Sequence, residues 1–171
     1  MDRGVSDGNG LTPFSGTVWR ILFAQLADDA LLPARAPEGR FHYGGQPSIY
    51  TSLTAEGAGV AIQRYLAAGD APRVIIPLEV AAIRVLDLRR SGDDSAGVPP
   101  TSVVWQDQRA QGLRASTWDI SDNARHLGAQ GILYPSRTRP DLSHLVLFGV
   151  PVPGDLTQVA PGRSWRSVDQ T

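Results

Sequence analysis

The 171-residue chain carries 16 basic and 17 acidic side chains, a formal charge of −1, so no global field draws in nucleic acid or an anionic membrane. Its length suits one domain large enough to bury a proper core. Every basic residue is arginine and cysteine is absent, which excludes lysine Schiff-base chemistry, thiolate catalysis, disulfides and cysteine-ligated zinc.

Residues 1–16 are polar and glycine-rich and read as a flexible leader, with no apolar run of signal-peptide length. TVWRILFA, from Thr17 to Ala24, has the β-branched and aromatic content of a first strand. A polar segment then leads into the loop from Arg35 to Gln46, and Pro47 opens a short strand, SIYTSL. Thr54 is placed to cap the helix TAEGAGVAIQRYLAA, whose Ala55, Ala58, Ile62 and Leu66 recur at helical spacing. Gly57 and Gly59 are poor helix formers and point to a tight backbone contact or a site wall near the first turn. RVIIPLEV, Arg73 to Val80, is the clearest strand, and AAIRVLDLR, Ala81 to Arg89, reads as its hairpin partner. Residues 90–101 form a solvated loop. A helical patch over Val103–Leu113 and an amphipathic helix from Ser116 or Thr117 follow. GILYP and HLVLFGV are two last strands. From Pro151 the composition turns to Pro, Gly and Ser and suggests a loose tail. The expectation is an α+β fold: a leader (1–16), one domain (17–150) with a mostly antiparallel sheet and two or three covering helices, and a tail (151–171).

No stretch reaches the length of a membrane span, so a soluble, cytoplasmic protein is expected. The three histidines, His42, His126 and His144, show no metal-ligand spacing, and no metal site is expected.

The densest chemistry lies in RAPEGRFHYGGQPSIY, Arg35 to Tyr50: two arginines, a histidine, two tyrosines, a phenylalanine and a Gly-Gly pair. Arginine offers forked donors for phosphate. Aromatic rings offer flat faces for a planar heterocycle, and paired glycines allow close backbone approach. These are the parts needed to hold a nucleotide. A surface turn whose aromatics cap a core uses the same residues. Taken singly, Arg40 pairing with Glu38, Tyr50 facing the core, Ser136 ending a strand and Glu56 answering a helix dipole are all sufficient readings.

In order and spacing, GRFHYGGQPSIYTS, the helix after it and GILYPSRTRPDLSHLVLF, with VWRI ahead of them, resemble the RES-domain family. Its members are toxins of bacterial toxin–antitoxin pairs. The resemblance spans residues 17–149 and implies an ADP-ribosyltransferase-like fold acting on NAD+ as co-substrate without a metal. It places Arg40, Tyr50 and Ser136 on the family's active-site Arg, Tyr and Ser. The family glutamate belongs on the helix after Tyr50. That register here reads Val60, Ala61, Ile62, Gln63, with no acid, which leaves Glu56 or Gln63 to take its role. His42 with Tyr50 is also similar to the histidine and tyrosine by which diphtheria-type ADP-ribosyltransferases hold nicotinamide mononucleotide, and Tyr43 joins that set. Arg20 and Arg35 stand in reserve behind Arg40 for the pyrophosphate.

The implied reaction breaks the nicotinamide–ribose bond through an oxocarbenium-like state, which a group bonded to the ribose hydroxyl stabilises. Transfer of ADP-ribose to a host protein, such as a nucleotide-biosynthesis enzyme, is the favoured outcome. NAD+ phosphorolysis or hydrolysis is the alternative. A non-catalytic nucleotide- or protein-binding module is the non-enzyme reading, and a nucleic-acid-cleaving toxin is disfavoured by the neutral charge. The resemblance also implies a cognate helix-turn-helix (Xre-like) antitoxin that blocks the cleft.

Overall fold

The computed structural model describes residues 10–89 and 103–167. The loop expected at 90–101 lies outside them, as does most of the expected leader. In chain order the elements are β1 (Thr12–Phe23), a 3-10 turn (Ala24–Asp29), β2 (Ser48–Ser52), α1 (Ala55–Ile62), β3 (Arg73–Asp87), α2 (Trp105–Ala110), α3 (Ser116–His126), β4 (Gly131–Pro135), β5 (Ser143–Phe148), β6 (Leu156–Gln158) and β7 (Arg163–Trp165). No helix among the described residues is long and apolar enough to cross a membrane.

The strands close into a ring, β1–β2–β5–β4–β3 and back to β1. Every pairing is antiparallel except β3 with β4. Val18, Ile49, Ile76, Leu78, Val85, Leu133 and Leu145 fill the ring, each at most 2% exposed. Burial at that level stabilises by about 1.5–3 kcal/mol per side chain. A second core forms where α3 lies on the sheet and gathers Phe41, Ile120, Ala124, Ile132 and Val146. The α+β, mostly antiparallel expectation therefore holds.

Three local readings are corrected. Arg73–Asp87 is one 15-residue strand, not a hairpin. Its inward residues switch from even (Ile76, Leu78, Val80) to odd (Ile83, Val85) because Gly16 pairs with Val80 and Phe14 with Ile83. Ala81 and Ala82 together oppose Ser15, so the apparent turn is a β-bulge. Second, β1 starts at Thr12, inside the segment read as leader, because β3 runs on past Val80 and offers it an edge. Third, the segment read as tail supplies β6 and β7, which pair with β3 at Leu78–Val80 and Arg73–Ile75.

The capping reading of α1 holds: the Gly57 N–H donates to Thr54 Oγ1 at 2.9 Å. The helix stops at Ile62 and tightens into a 3-10 turn, Gln63–Tyr65, earlier than its sequence pattern implies. Gly59 is a close-contact position, since a Cβ there would sit 3.3 Å from the Trp165 ring.

Candidate functional site

The site starts from a tight turn. The Gly39 N–H donates to the His42 carbonyl at 2.9 Å, which puts Arg40 and Phe41 at the tip. A Cβ on Gly39 would lie 2.7 Å from Tyr50 Oη and collide with the His42 imidazole. Only glycine fits. The Gly44-Gly45 pair serves the chain path: both residues have positive φ (59° and 75°) and turn the exposed loop back toward β2.

Inside the turn, the Phe41 N–H donates to Tyr50 Oη (2.9 Å), and that hydroxyl lies 2.8 Å from His42 Nδ1. His42 Nε2 meets the Ala36 carbonyl at 2.9 Å. A carbonyl only accepts, so Nε2 carries the proton there and Nδ1 accepts from Tyr50. Both His42 and Phe41 are buried. The turn's other polar groups are gripped by α3. Thr117 Oγ1 donates to the Arg40 carbonyl, Trp118 Nε1 to the Gly39 carbonyl (2.8 Å) and Arg125 Nη2 to the Phe41 carbonyl (3.1 Å). Three consecutive carbonyls are thus held by one helix some 80 residues downstream.

So anchored, the Arg40 guanidinium lies over two rings, with Cζ 4.9 Å from the Tyr134 centroid and 5.3 Å from that of Phe41. Burial lowers its pKa, and Arg137 adds like-charge repulsion against the opposing influence of Tyr134 and Tyr50. An arginine remains a cation through such a shift. Burial also pushes the Tyr134 phenol up to about 12 and the Tyr50 phenol further still, so both stay neutral donors at physiological pH. Next to Tyr134 lies His144, its ring 5.4 Å away and its Nδ1 2.7 Å from Ser52 Oγ. Burial first, then Arg40, lowers His144 to about 4 and keeps it uncharged.

The structure brings Arg40 and Tyr50 to one face of the sheet, with His42 beneath the turn. Ser136 follows Tyr134 by two positions at the end of β4 and is buried. Its Oγ accepts from the Arg139 N–H at 3.3 Å. The other candidates are engaged elsewhere. Arg20 gives Nη1 to the carbonyls of Ala30 and Leu32 (2.7 Å each) and tethers the 3-10 turn; burial takes its pKa down to about 10. Arg35 is exposed and pairs with Asp29. Tyr43 stacks on Trp118 at 4.8 Å and donates to Asp122. Glu56 pairs with Arg139 at 3.1 Å, and Gln63 is exposed on the 3-10 turn after α1. The Arg40–Glu38 pair gives way to a two-pronged Arg109–Glu38 bridge at 3.0 and 3.1 Å.

Two cavities lie apart from this face. One, about 290 Å³, is walled by Leu66, Asp70, Arg73, Trp165 and their neighbours, and the other, about 90 Å³, by Ile83, Phe148 and Val150. Among the described residues no His, Cys, Asp and Glu cluster has the makings of a metal site. Sequence reasoning missed Tyr134, His144, Thr117, Trp118 and Arg125. The readable signal was a histidine in the otherwise apolar run HLVLF and a serine opposite it in SIYTS.

A closed strand ring with α1 and α3 on its flanks is an α+β architecture, as expected from the sequence. The chain belongs to the RES domain family, whose model matches residues 17–168. Among solved structures it is similar to a chain of the MbcT–MbcA toxin–antitoxin complex of M. tuberculosis. The two share 22% identity at a TM-score of 0.65, over 93% of this chain and 88% of that one. Among curated proteins, none resembles the chain closely enough in sequence to count as a relative.

Proposed function

We propose that this RES domain is the toxin of a bacterial toxin–antitoxin pair and consumes NAD+ in the cytoplasm. The observation that carries the reading is the half-buried, aromatic-clamped Arg40 on the face that holds Tyr50, with Ser136 at its edge. A caged guanidinium suits the pyrophosphate, and neutral phenols suit the ribose and nicotinamide. In the step, the C1′–N bond of the nicotinamide riboside breaks and nicotinamide leaves with the electron pair. The acceptor then bonds to C1′ and gives up its proton. A protein side chain of the host, in a nucleotide-biosynthesis enzyme for example, is the favoured acceptor.

Arg137, close enough to Arg40 to act on its pKa, favours a second reading in which inorganic phosphate is the acceptor. The structural neighbour's complex with an antitoxin supports a partner of that kind here, a helix-turn-helix protein covering the Arg40 face. Incubation of the purified chain with NAD+ labelled in the adenylate half, plus host lysate, tests the assignment. A discrete labelled protein band is expected. Free ADP-ribose or ADP-ribose 1-phosphate alone moves the assignment to hydrolysis or phosphorolysis, and intact NAD+ refutes consumption altogether.

A further inference from the structure

β2, β5 and β4 lay three polar side chains in a row across one face of the sheet. Ser52 stands directly opposite His144, and His144 directly opposite Tyr134. Ser52 Oγ fixes one nitrogen of the imidazole at 2.7 Å. The Tyr134 ring fixes its tilt, at 5.4 Å and 49°. Arg40 in turn lies over the Tyr134 ring. His144 is 5% exposed, and its Nε2 has no hydrogen-bond partner among the described residues. A histidine that merely fills a core has both nitrogens satisfied or both shut away. Here one nitrogen is tied and the other is unpaired among the described residues, close enough to Arg40 to feel its charge.

What that nitrogen can recognise follows from its charge state. Burial and Arg40 keep the ring neutral, so it brings no attraction for phosphate and is a poor base at neutral pH. A neutral imidazole held in place is well suited to one hydrogen bond with an uncharged hydroxyl, as donor or as acceptor. Of the two groups expected to bind such a hydroxyl, Glu56 gives its carboxylate to Arg139 and Gln63 is exposed.

We propose that His144, held by Ser52, is the sugar-recognition residue of the site, its Nε2 hydrogen-bonding a ribose hydroxyl of the ligand whose phosphates Arg40 holds. This rests on the NAD+ reading and adds to it a division of labour: guanidinium for the anion, neutral imidazole for the sugar.

The test is calorimetric titration of the full chain at pH 7 with two probes, ADP-ribose and inorganic pyrophosphate. His144→Ala is expected to weaken ADP-ribose about tenfold, the worth of one neutral hydrogen bond, and to leave pyrophosphate within about twofold. His144→Gln, which keeps a neutral polar head, recovers part of the loss. Arg40→Ala weakens both probes. Should His144→Ala fail to fold, Ser52→Ala, which releases the ring, carries the same expectation at smaller amplitude. Equal loss of both probes, or of neither, in the His144 variants overturns the assignment while leaving the NAD+ reading in place. A parent chain that binds pyrophosphate and not ADP-ribose overturns the NAD+ reading, and this inference with it.

Discussion

Removing one oxygen from Tyr50 probes the anchoring of the turn directly. In Tyr50→Phe the ring stays, and with it the packing against the second core. What goes is a hydroxyl that accepts from the Phe41 N–H at 2.9 Å and donates to His42 Nδ1 at 2.8 Å. Both partners are buried, at 0% and 1% exposure, so water does not replace the lost bonds. An orphaned buried donor costs about 1–3 kcal/mol, and a lost bond to a second group about 1 kcal/mol more. The phenol's own desolvation is recovered, which leaves a net loss of about 2–3 kcal/mol. For a chain of this size that is a fall in Tm of roughly 5–10 °C. Urea unfolding followed by circular dichroism reads it as a lower midpoint at an unchanged slope. Tyr43→Phe is the internal control, because its hydroxyl meets a half-exposed Asp122. That loss should stay near 0.5 kcal/mol. If Tyr50→Phe costs no more than Tyr43→Phe, Tyr50 does not hold the turn and the reasoning fails.

Gly39→Ala drives a methyl into His42 and Tyr50 Oη and is expected to cost about 2–3 kcal/mol, with loss of ADP-ribose binding, in the same unfolding and titration assays. Acid should weaken the fold through His144. The unfolded chain takes up this proton near 6.5 and the folded protein only near 4. Stability from this residue is therefore complete above pH 6.5 and lost as pH falls toward 4, by up to about 3 kcal/mol. The groups facing the ring are Ser52 on β2, Tyr134 on β4 and Arg40 on the turn. Ser52 does not titrate, and the other two hold their charge state across that range. Comparing the parent with His144→Gln isolates the contribution: the gap in urea midpoint between them should narrow between pH 7 and pH 4.5, and parallel pH profiles would contradict the linkage.

Much of the architecture was readable because it is local. Thr54 announced its own capping bond, and the segments SIYTS and GILYP read as two strands that exist at almost those bounds. The long β3 was not readable as one strand, since a bulge at Ala81-Ala82 breaks the period-two signal as a turn would. Arg40 and Tyr50 were legible as candidate site residues from composition and family likeness. Their setting was not. The carbonyl grip by Thr117, Trp118 and Arg125, and the Ser52–His144 contact, join positions 77 to 92 residues apart, and a linear pattern carries no trace of them. The arginines mislead for the opposite reason. Each of the sixteen looks alike in sequence, yet Arg20 serves the backbone, Arg109 a carboxylate and Arg40 an aromatic cage.

The shared edges of β3 bear on how the molecule resists force. β1 runs antiparallel along one side from Val85 to Arg73, and β7 antiparallel along the other from Ile75 to Arg73. A pull on the chain ahead of Thr12 and one on the chain beyond Trp165 therefore act toward opposite ends of the same ribbon. Such a load slides strands lengthwise and must rupture whole ladders of hydrogen bonds together, where peeling would break them one by one.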